Sequence, residues 1–178
     1  MKSGDCDNMA RRVFFSFHYE KDINRSMVVR NSWLIPGKEA VGFVDKAEFE
    51  SIKKQGERAV RNWIDQQFQG TSVTVVLIGA ETLERPFVQY EIRQSIKKGS
   101  AVLGVFIHNI KDMKSEETSE KGDIHTVIGY RANGNPVYFD EICDGVYDYC
   151  LNKGYKNLGN WIEDAVCSKE KGTQTSQI

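Results

Sequence analysis

The chain has 178 residues, of which 40% are hydrophobic and 28% are charged, so it is long enough for one globular domain with a substantial core. Its formal net charge of −1 argues against the basic surface that binds nucleic acid or an anionic membrane. No apolar run approaches the roughly 20 residues that span a bilayer, so we expect neither nucleic acid nor membrane as a partner.

Apolar runs alternate with helical patterns over the first 108 residues. Four runs rich in β-branched and aromatic residues are typical of strands buried on both faces. The predicted strands are VFFSFHY (13–19), AVGFVD (40–45), SVTVVLIG (72–79) and AVLGVFIH (101–108). The predicted helices pass through Val28–Trp33, cover 48–69 as one amphipathic helix, and run from Pro86 to Lys98 before Gly99. This alternation predicts an α/β, flavodoxin-like, doubly wound and mainly parallel sheet, which binds ligands at the carboxyl ends of its strands.

The pattern changes after residue 109. The segment VIGYRANGNPVYFD (127–140) predicts a hairpin that turns at Asn133-Gly134. NLGNWIEDAV (157–166) predicts a short amphipathic helix with Leu158, Trp161 and Ile162 facing inward. We therefore expect one domain over 11–168 with a C-terminal hairpin and helix, and flexible termini over 1–10 and 169–178.

The cysteines give no sign of a metal centre. The four of them form no CxxC pair, and no histidine lies at ligand spacing from any of them. We expect no metal and no bound cofactor, and reduced thiols in a cytoplasmic protein. The opening MKSGDCDNMA has no apolar stretch of the kind found in a secretory signal.

The strand ends bring a defined group of side chains to one edge of the predicted sheet. They come from the first strand, the second strand, the loop after the third strand and the helix that follows it. The candidate site residues are Ser16, Phe17, His18, Asp45, Thr82, Arg85, Phe87 and Glu91.

Glu91 is the candidate reactive group. It lies four residues after Phe87, so both side chains share one face of the helix, roughly 60° from the Val88–Ile92 stripe at about 100° per residue. A carboxylate beside an aromatic ring at the border between core and cleft suits cleavage at the anomeric carbon of a sugar, with the ring stacked on a base or pyridine. The alternative is a solvated helix carboxylate.

Other candidates have alternatives of their own. Asp45 either binds substrate or caps a helix with Glu48 as its capping-box partner. His18 either bonds a phosphate or ribose or is a structural histidine, and Arg85 either meets a diphosphate or is an exposed loop residue. No GxGxxG motif follows the first strand, so a dinucleotide is expected as a substrate and not as a hydride carrier.

Two segments resemble a known family. The strand, loop and helix SVTVVLIGAETLERPFVQYEI is similar to the TIR-domain segment in which an aromatic residue precedes a glutamate by four positions, and RRVFFSFHYEKD is similar to the first strand and loop of these proteins. With VVRNSW and VGFVD, the region 11–110 resembles the TIR-like proteins of bacterial Thoeris antiphage systems. Phe87 stands where the broader TIR pattern usually has Trp, and Val88 where Cys is common.

The resemblance implies an enzyme that consumes NAD⁺. Such proteins break the nicotinamide–ribose bond, and the Thoeris branch makes a cyclic ADP-ribose-type signal that diffuses to a separate antiphage effector. The implied roles are catalytic carboxylate for Glu91, NAD⁺ as substrate, a phage protein as trigger, and further copies of the chain as partners. One alternative is a non-catalytic TIR-like module that signals by protein contacts. A phosphorelay receiver is disfavoured, because IGAETLER offers no phosphoacceptor Asp after the third strand.

Overall fold

The computed structural model describes residues 11–34, 39–43 and 46–175 of the chain. The strands are β1 (Arg12–Phe17), β2 (Glu39–Val41), β3 (Val73–Ile78), β4 (Ala101–Phe106), β5 (Val127–Tyr130), β6 (Pro136–Tyr138) and β7 (Gly145–Asp148). The helices are α1 (Tyr19–Trp33), α2 (Lys46–Lys54), α3 (Glu57–Gln67), α4 (Pro86–Lys98), α5 (Phe139–Ile142) and α6 (Gly154–Thr175), with a 3₁₀ turn at Thr82–Glu84.

The main sheet is parallel throughout its described strands, in the order β2-β1-β3-β4-β7. All residues of β3 and β4 are buried, which explains why their sequences are apolar without alternation. Helices cover both faces: Phe15 of β1 packs toward α1 and α6, whereas Phe14 packs toward α3. The predicted α/β, flavodoxin-like fold is confirmed.

The helix after β2 differs from the prediction. The sequence predicts one helix over 48–69, but the structure has α2 and α3 with a break at Gly56, whose φ is +99°. A side chain at Gly56 would meet nothing within 4 Å, so glycine is required there by the backbone conformation and not by space. The break lets α2 turn away from the core, and Phe49 of α2 stacks on Tyr19 with ring centroids 4.4 Å apart.

The C-terminal third completes the main sheet. The predicted hairpin is present as β5 and β6, and Gly134 takes a φ of +84° in its turn. The sequence analysis did not predict β7, which is short and pairs with β4 from Leu103 to Phe106. Cys143 and Cys150 near β7 are free thiols, as predicted, whereas Cys167 is disulfide-bonded, which the prediction of reduced thiols did not include.

Helix α6 is longer than predicted. Leu158, Trp161 and Ile162 are buried, as the amphipathic pattern indicated. The helix continues to Thr175, so the predicted start of the C-terminal tail at residue 169 falls inside it. Ion pairs explain the extension, because Lys169 Nζ lies 3.3 Å from an oxygen of Asp144 and Arg11 reaches both Glu163 and Glu170. The domain boundaries at 11 and 168 stay a prediction.

The described residues contain neither a membrane-spanning helix nor a metal-binding cluster. None of the helices in the described part of the chain is long and apolar enough to cross a membrane. The same part contains no group of three or more His, Cys, Asp or Glu side chains arranged to hold a metal ion.

Candidate active site

A cavity of about 180 Å³ lies at the carboxyl ends of β1 and β2, between the first turn of α1 and the helices α2, α3 and α4. Its wall is mostly apolar, with rings from Phe15, Phe17, Tyr19, Phe49, Trp63 and Phe87. The polar and charged groups of the wall are His18, Glu20, Lys53, Arg85 and Glu91. An apolar cavity with a few convergent polar groups is the usual form of a small-molecule site.

Glu91 lies against the inner wall of this cavity. It is 9% exposed, so it is more deeply buried than its predicted position at the border between core and cleft. Its carboxylate accepts a hydrogen bond from the hydroxyl of Ser16 on β1. Ser16 points toward α4 because strand side chains alternate, which places it on the same face as Phe14 and opposite Phe15 and Phe17.

Burial changes the acidity of this carboxyl group. Loss of solvent raises the pKa of Glu91 from its ordinary 4.5 to about 8, and the Ser16 hydrogen bond opposes part of that rise. At neutral pH the folded protein therefore holds this group mainly as the protonated acid. A carboxyl group with such a perturbed pKa in a cavity is a strong candidate for chemistry.

His18 and Arg85 contribute nitrogen atoms without hydrogen-bond partners. His18 is 6% exposed, and neither its Nδ1 nor Arg85 Nε has a partner, although both atoms are buried. Burial lowers the pKa of His18, and the Arg85 guanidinium lowers it further, so the imidazole is neutral at pH 7. The remaining Arg85 nitrogens face solvent and Glu81, with Nη2 3.6 Å from a carboxylate oxygen.

Most of the predicted site residues meet at the cavity. Phe17, His18, Arg85, Phe87 and Glu91 line it. Ser16 is 1% exposed and reaches the site through its bond to the Glu91 side chain. Asp45 lies outside the described residues.

Thr82 is a predicted substrate-binding residue that the structure does not bring to the cavity. It is fully buried, and its hydroxyl oxygen accepts a hydrogen bond from the Gly79 N–H at 2.8 Å. The same hydroxyl lies 3.5 Å from an oxygen of Asp22 on α1. The 3₁₀ turn rotates Thr82 inward, so its contacts fix the loop after β3 and not a ligand.

The wall contributed by α2 and α3 was missed by the sequence analysis. Phe49 and Lys53 of α2 and Trp63 of α3 line the cavity, and Lys53 bonds Glu20 at 2.7 Å across its rim. Trp63 is only partly buried: it packs against the core cluster that contains Phe14 and Ile64, and it also lines the cavity. Gly56 was the residue in the sequence that could have indicated this wall, because a glycine inside a helical pattern is consistent with a break that redirects the preceding turn.

The role of Ser16 is testable by titration. We expect Ser16→Ala to raise the pKa of Glu91 by up to about one unit, because one hydrogen bond contributes about 1 kcal/mol and one pKa unit corresponds to 1.36 kcal/mol. The carboxyl ¹³C shift of Glu91 as a function of pH measures this. Ser95→Ala is the matched control, since the Ser95 hydroxyl bonds the backbone carbonyl of Glu91 at 2.9 Å and leaves the carboxyl alone. Equal midpoints in wild type and Ser16→Ala would show that this bond does not tune the acid.

Comparison with known proteins gives two matches. The sequence model of the family described as "Thoeris protein ThsB, TIR-like domain" matches residues 14–112, which include β1, β3, α4 and the cavity residues they carry. A protein of Bacillus cereus (strain MSX-D12) that bears the name "Putative cyclic ADP-D-ribose synthase ThsB1" is 37% identical over 191 aligned residues. That alignment covers 86% of this chain and 100% of the relative.

Proposed function

Because this chain belongs to the family of Thoeris ThsB proteins with a TIR-like domain, we propose that it cleaves the nicotinamide–ribose bond of NAD⁺ and closes the ADP-ribose into a cyclic nucleotide. The observation that carries the proposal is Glu91, a carboxyl group with a raised pKa that is buried in the wall of a mostly apolar cavity with several aromatic rings. The name of the Bacillus cereus relative supports the cyclic ADP-ribose product.

Glu91 supplies the charge that this reaction needs. As the nicotinamide leaves, positive charge develops at the anomeric carbon of the ribose, and an ionised carboxylate beside it lowers the barrier. The ribose hydroxyls donate hydrogen bonds to the same carboxylate. The nicotinamide ring of bound NAD⁺ is cationic, so its approach favours the ionised form of Glu91 and lowers the pKa of the carboxyl in the complex.

The size of the cavity indicates which end of NAD⁺ it receives. Pockets for drug-sized ligands hold roughly 300 to 1,000 Å³, whereas the volume of this open cavity is about 180 Å³. The nicotinamide riboside end enters this space, with its ring against Phe87. The adenosine end of the dinucleotide lies toward the rim at Tyr19 and Glu20, which also border a wider neighbouring cleft of about 1020 Å³.

Cyclisation depends on which nucleophile attacks the anomeric carbon. An adenine nitrogen or a ribose hydroxyl of the substrate itself bonds to this carbon as the bond to nicotinamide breaks. Nicotinamide leaves as the neutral base, and the attacking group releases a proton to solvent. An aromatic wall that excludes water and holds the substrate folded favours this internal attack over hydrolysis to ADP-ribose.

We place the reaction in a signalling system. The cyclic product diffuses to a separate effector, a phage protein triggers the activity, and copies of the chain assemble. These partners and the cytoplasmic location rest on family membership. A module that signals only by protein contacts would have no use for a carboxyl group buried against an aromatic cavity.

The test is the product mixture formed from NAD⁺. We expect purified wild-type protein to convert NAD⁺ into nicotinamide and a cyclised ADP-ribose, both identified by mass spectrometry. Where a trigger is needed, the protein is added to lysate from infected cells. Glu84→Gln should behave like the wild type, because Glu84 is exposed and outside the cavity wall. Intact NAD⁺ in both infected and uninfected lysates would refute the proposal.

Phe87 gives a second prediction at the same site. We expect Phe87→Ala to lower kcat/KM for nicotinamide release about tenfold, the equivalent of 1.4 kcal/mol, because the ring loses its stacking on the cationic pyridine. Phe87→Trp should retain most of the activity, since it keeps an aromatic face. A large loss of unfolding free energy in Phe87→Ala, with unchanged kcat/KM per folded molecule, would show instead that Phe87 is a core residue.

A further inference from the structure

We propose that the N-terminus of α4, together with Arg85 and His18, forms an anion subsite that takes the diphosphate of the dinucleotide. That the diphosphate belongs to NAD⁺ rests on the function proposed above. That the subsite recognises a diphosphate does not depend on that function. The subsite fixes the direction in which the substrate lies along α4.

The first observation is the state of the helix end. Helix α4 has 13 residues and starts with Pro86, no side chain caps it, and its first turn carries no acidic residue. The amides of Phe87 and Val88 therefore have no carbonyl of the preceding turn and no carboxylate to receive them. By contrast, the first turn of α1 at the same edge already carries Glu20 and Asp22. The partial positive charge of α4 is thus left for a ligand.

The second observation is the buried histidine. His18 is only 6% exposed, its Nδ1 has no hydrogen-bond partner, and it lines the same cavity as Phe87 and Val88. Arg85 Nε, directly before the helix, is also buried without a partner. An unpaired buried polar group is destabilising, so an oxygen-rich ligand that accepts from both groups is favoured there. Diphosphate oxygens are suitable acceptors for a guanidinium.

The spacing along α4 agrees with the substrate. Glu91 follows Phe87 and Val88 by four and three residues, which is about 5 Å along the axis at 1.5 Å per residue. This is comparable to the span of one ribose. A diphosphate held at the helix end therefore brings the adjoining ribose hydroxyls to the carboxyl group of Glu91.

The nearby carboxylates do not cancel the subsite. Glu81 lies 3.6 Å from Arg85 Nη2, but it is also bonded by Lys21 at 2.6 Å. Glu20 on the cavity rim is bonded by Lys53 at 2.7 Å. Each carboxylate is thus also held by a lysine, and Arg85 keeps its partnerless Nε for a ligand at the helix end.

The experiment uses inorganic pyrophosphate as the probe, with binding measured by calorimetry at low ionic strength on the full chain. We expect wild-type protein to bind it and Arg85→Gln to bind it at least tenfold more weakly. Arg131→Gln is the matched control, because Arg131 is about as exposed as Arg85, forms a similar ion pair 3.4 Å from Glu141, and lies outside the cavity wall. The ¹⁵N signals of the His18 ring should move on titration and should not move in Arg85→Gln.

Two further measurements, one with ADP-ribose and one on His18→Asn, identify the ligand and the role of the histidine. ADP-ribose should show the same dependence on Arg85, which identifies a nucleotide-borne diphosphate, and His18→Asn should also weaken both ligands. No pyrophosphate binding by wild type, or equal loss in Arg85→Gln and Arg131→Gln, overturns the subsite. Retained pyrophosphate binding in a protein that leaves NAD⁺ intact would instead refute the proposed function and leave the subsite standing.

Discussion

Glu91→Gln is expected to reduce nicotinamide release from NAD⁺ by at least a hundredfold and to leave the fold intact. Glutamine has nearly the same shape and still accepts the Ser16 hydrogen bond, but it cannot carry the negative charge that opposes the cationic transition state. Removing one preorganised electrostatic contact of this kind typically costs 10²–10³-fold in kcat. Chromatography of released nicotinamide, with circular dichroism of each variant, measures both parts of the expectation.

Glu84→Gln controls for the loss of a carboxylate near α4, and we expect it to retain wild-type turnover. If Glu91→Gln turned over NAD⁺ at the wild-type rate, another group would have to stabilise the developing charge. Equal losses in the two variants would point to a general effect of net charge and not to the buried group.

The same substitution is expected to stabilise the protein at neutral and alkaline pH. The unfolded chain loses the Glu91 proton near pH 4.5, whereas the folded chain holds it to about pH 8. Folding therefore costs increasing free energy as the pH rises from 4.5 to 8, and the cost is constant above 8. At 1.36 kcal/mol per unit, this contribution is at most about 5 kcal/mol.

Urea unfolding at several pH values tests this expectation as a difference between two proteins. Burial lowers the pKa values of His18 and His108, which makes their contributions to stability run in the opposite direction with pH. Subtracting the Glu91→Gln curve from the wild-type curve removes those contributions. The difference should be small at pH 4.5, grow steadily in favour of the variant up to pH 8 and then level off. A difference that does not change with pH would mean that the carboxyl is ionised in the folded protein over this range.

Loss of activity combined with a gain in stability is expected when a catalytic group is buried at a cost to the stability of the fold. A carboxyl group kept only for the fold would behave differently. Its replacement by glutamine would not gain stability with pH, because a structural carboxylate is normally ionised and paired.

The local signals in the sequence were sufficient for the centre of the site. Pro86 and Gly99 fixed both ends of α4, and the four-residue spacing placed Phe87 and Glu91 on one face. Side chains alternate along a strand, so adjacent Ser16 and Phe17 face opposite sides of the sheet, as the structure shows. Each of these inferences depends on residues close in the chain.

The remaining parts of the site depend on contacts between distant segments. The depth of Glu91 follows from how closely α4 packs on β1, and no helical pattern reports that distance. Phe49 and Trp63 line the cavity because Gly56 breaks the helix between them. A continuous amphipathic stripe predicts instead that both side chains pack in the core. Thr82 turned inward to Asp22, a partner 60 residues away.

The most direct test compares two titrations of the same protein. The ¹³C shift of the Glu91 carboxyl reports its pKa in the free enzyme, and the pH dependence of kcat/KM reports the group that must be ionised for NAD⁺ cleavage. We predict one midpoint for both, near pH 8, with kcat/KM rising about tenfold per unit below it and constant above it. A kcat/KM that is flat from pH 6 to 9, or a carboxyl that titrates near its ordinary 4.5, would contradict the assignment of the chemistry to this buried glutamate.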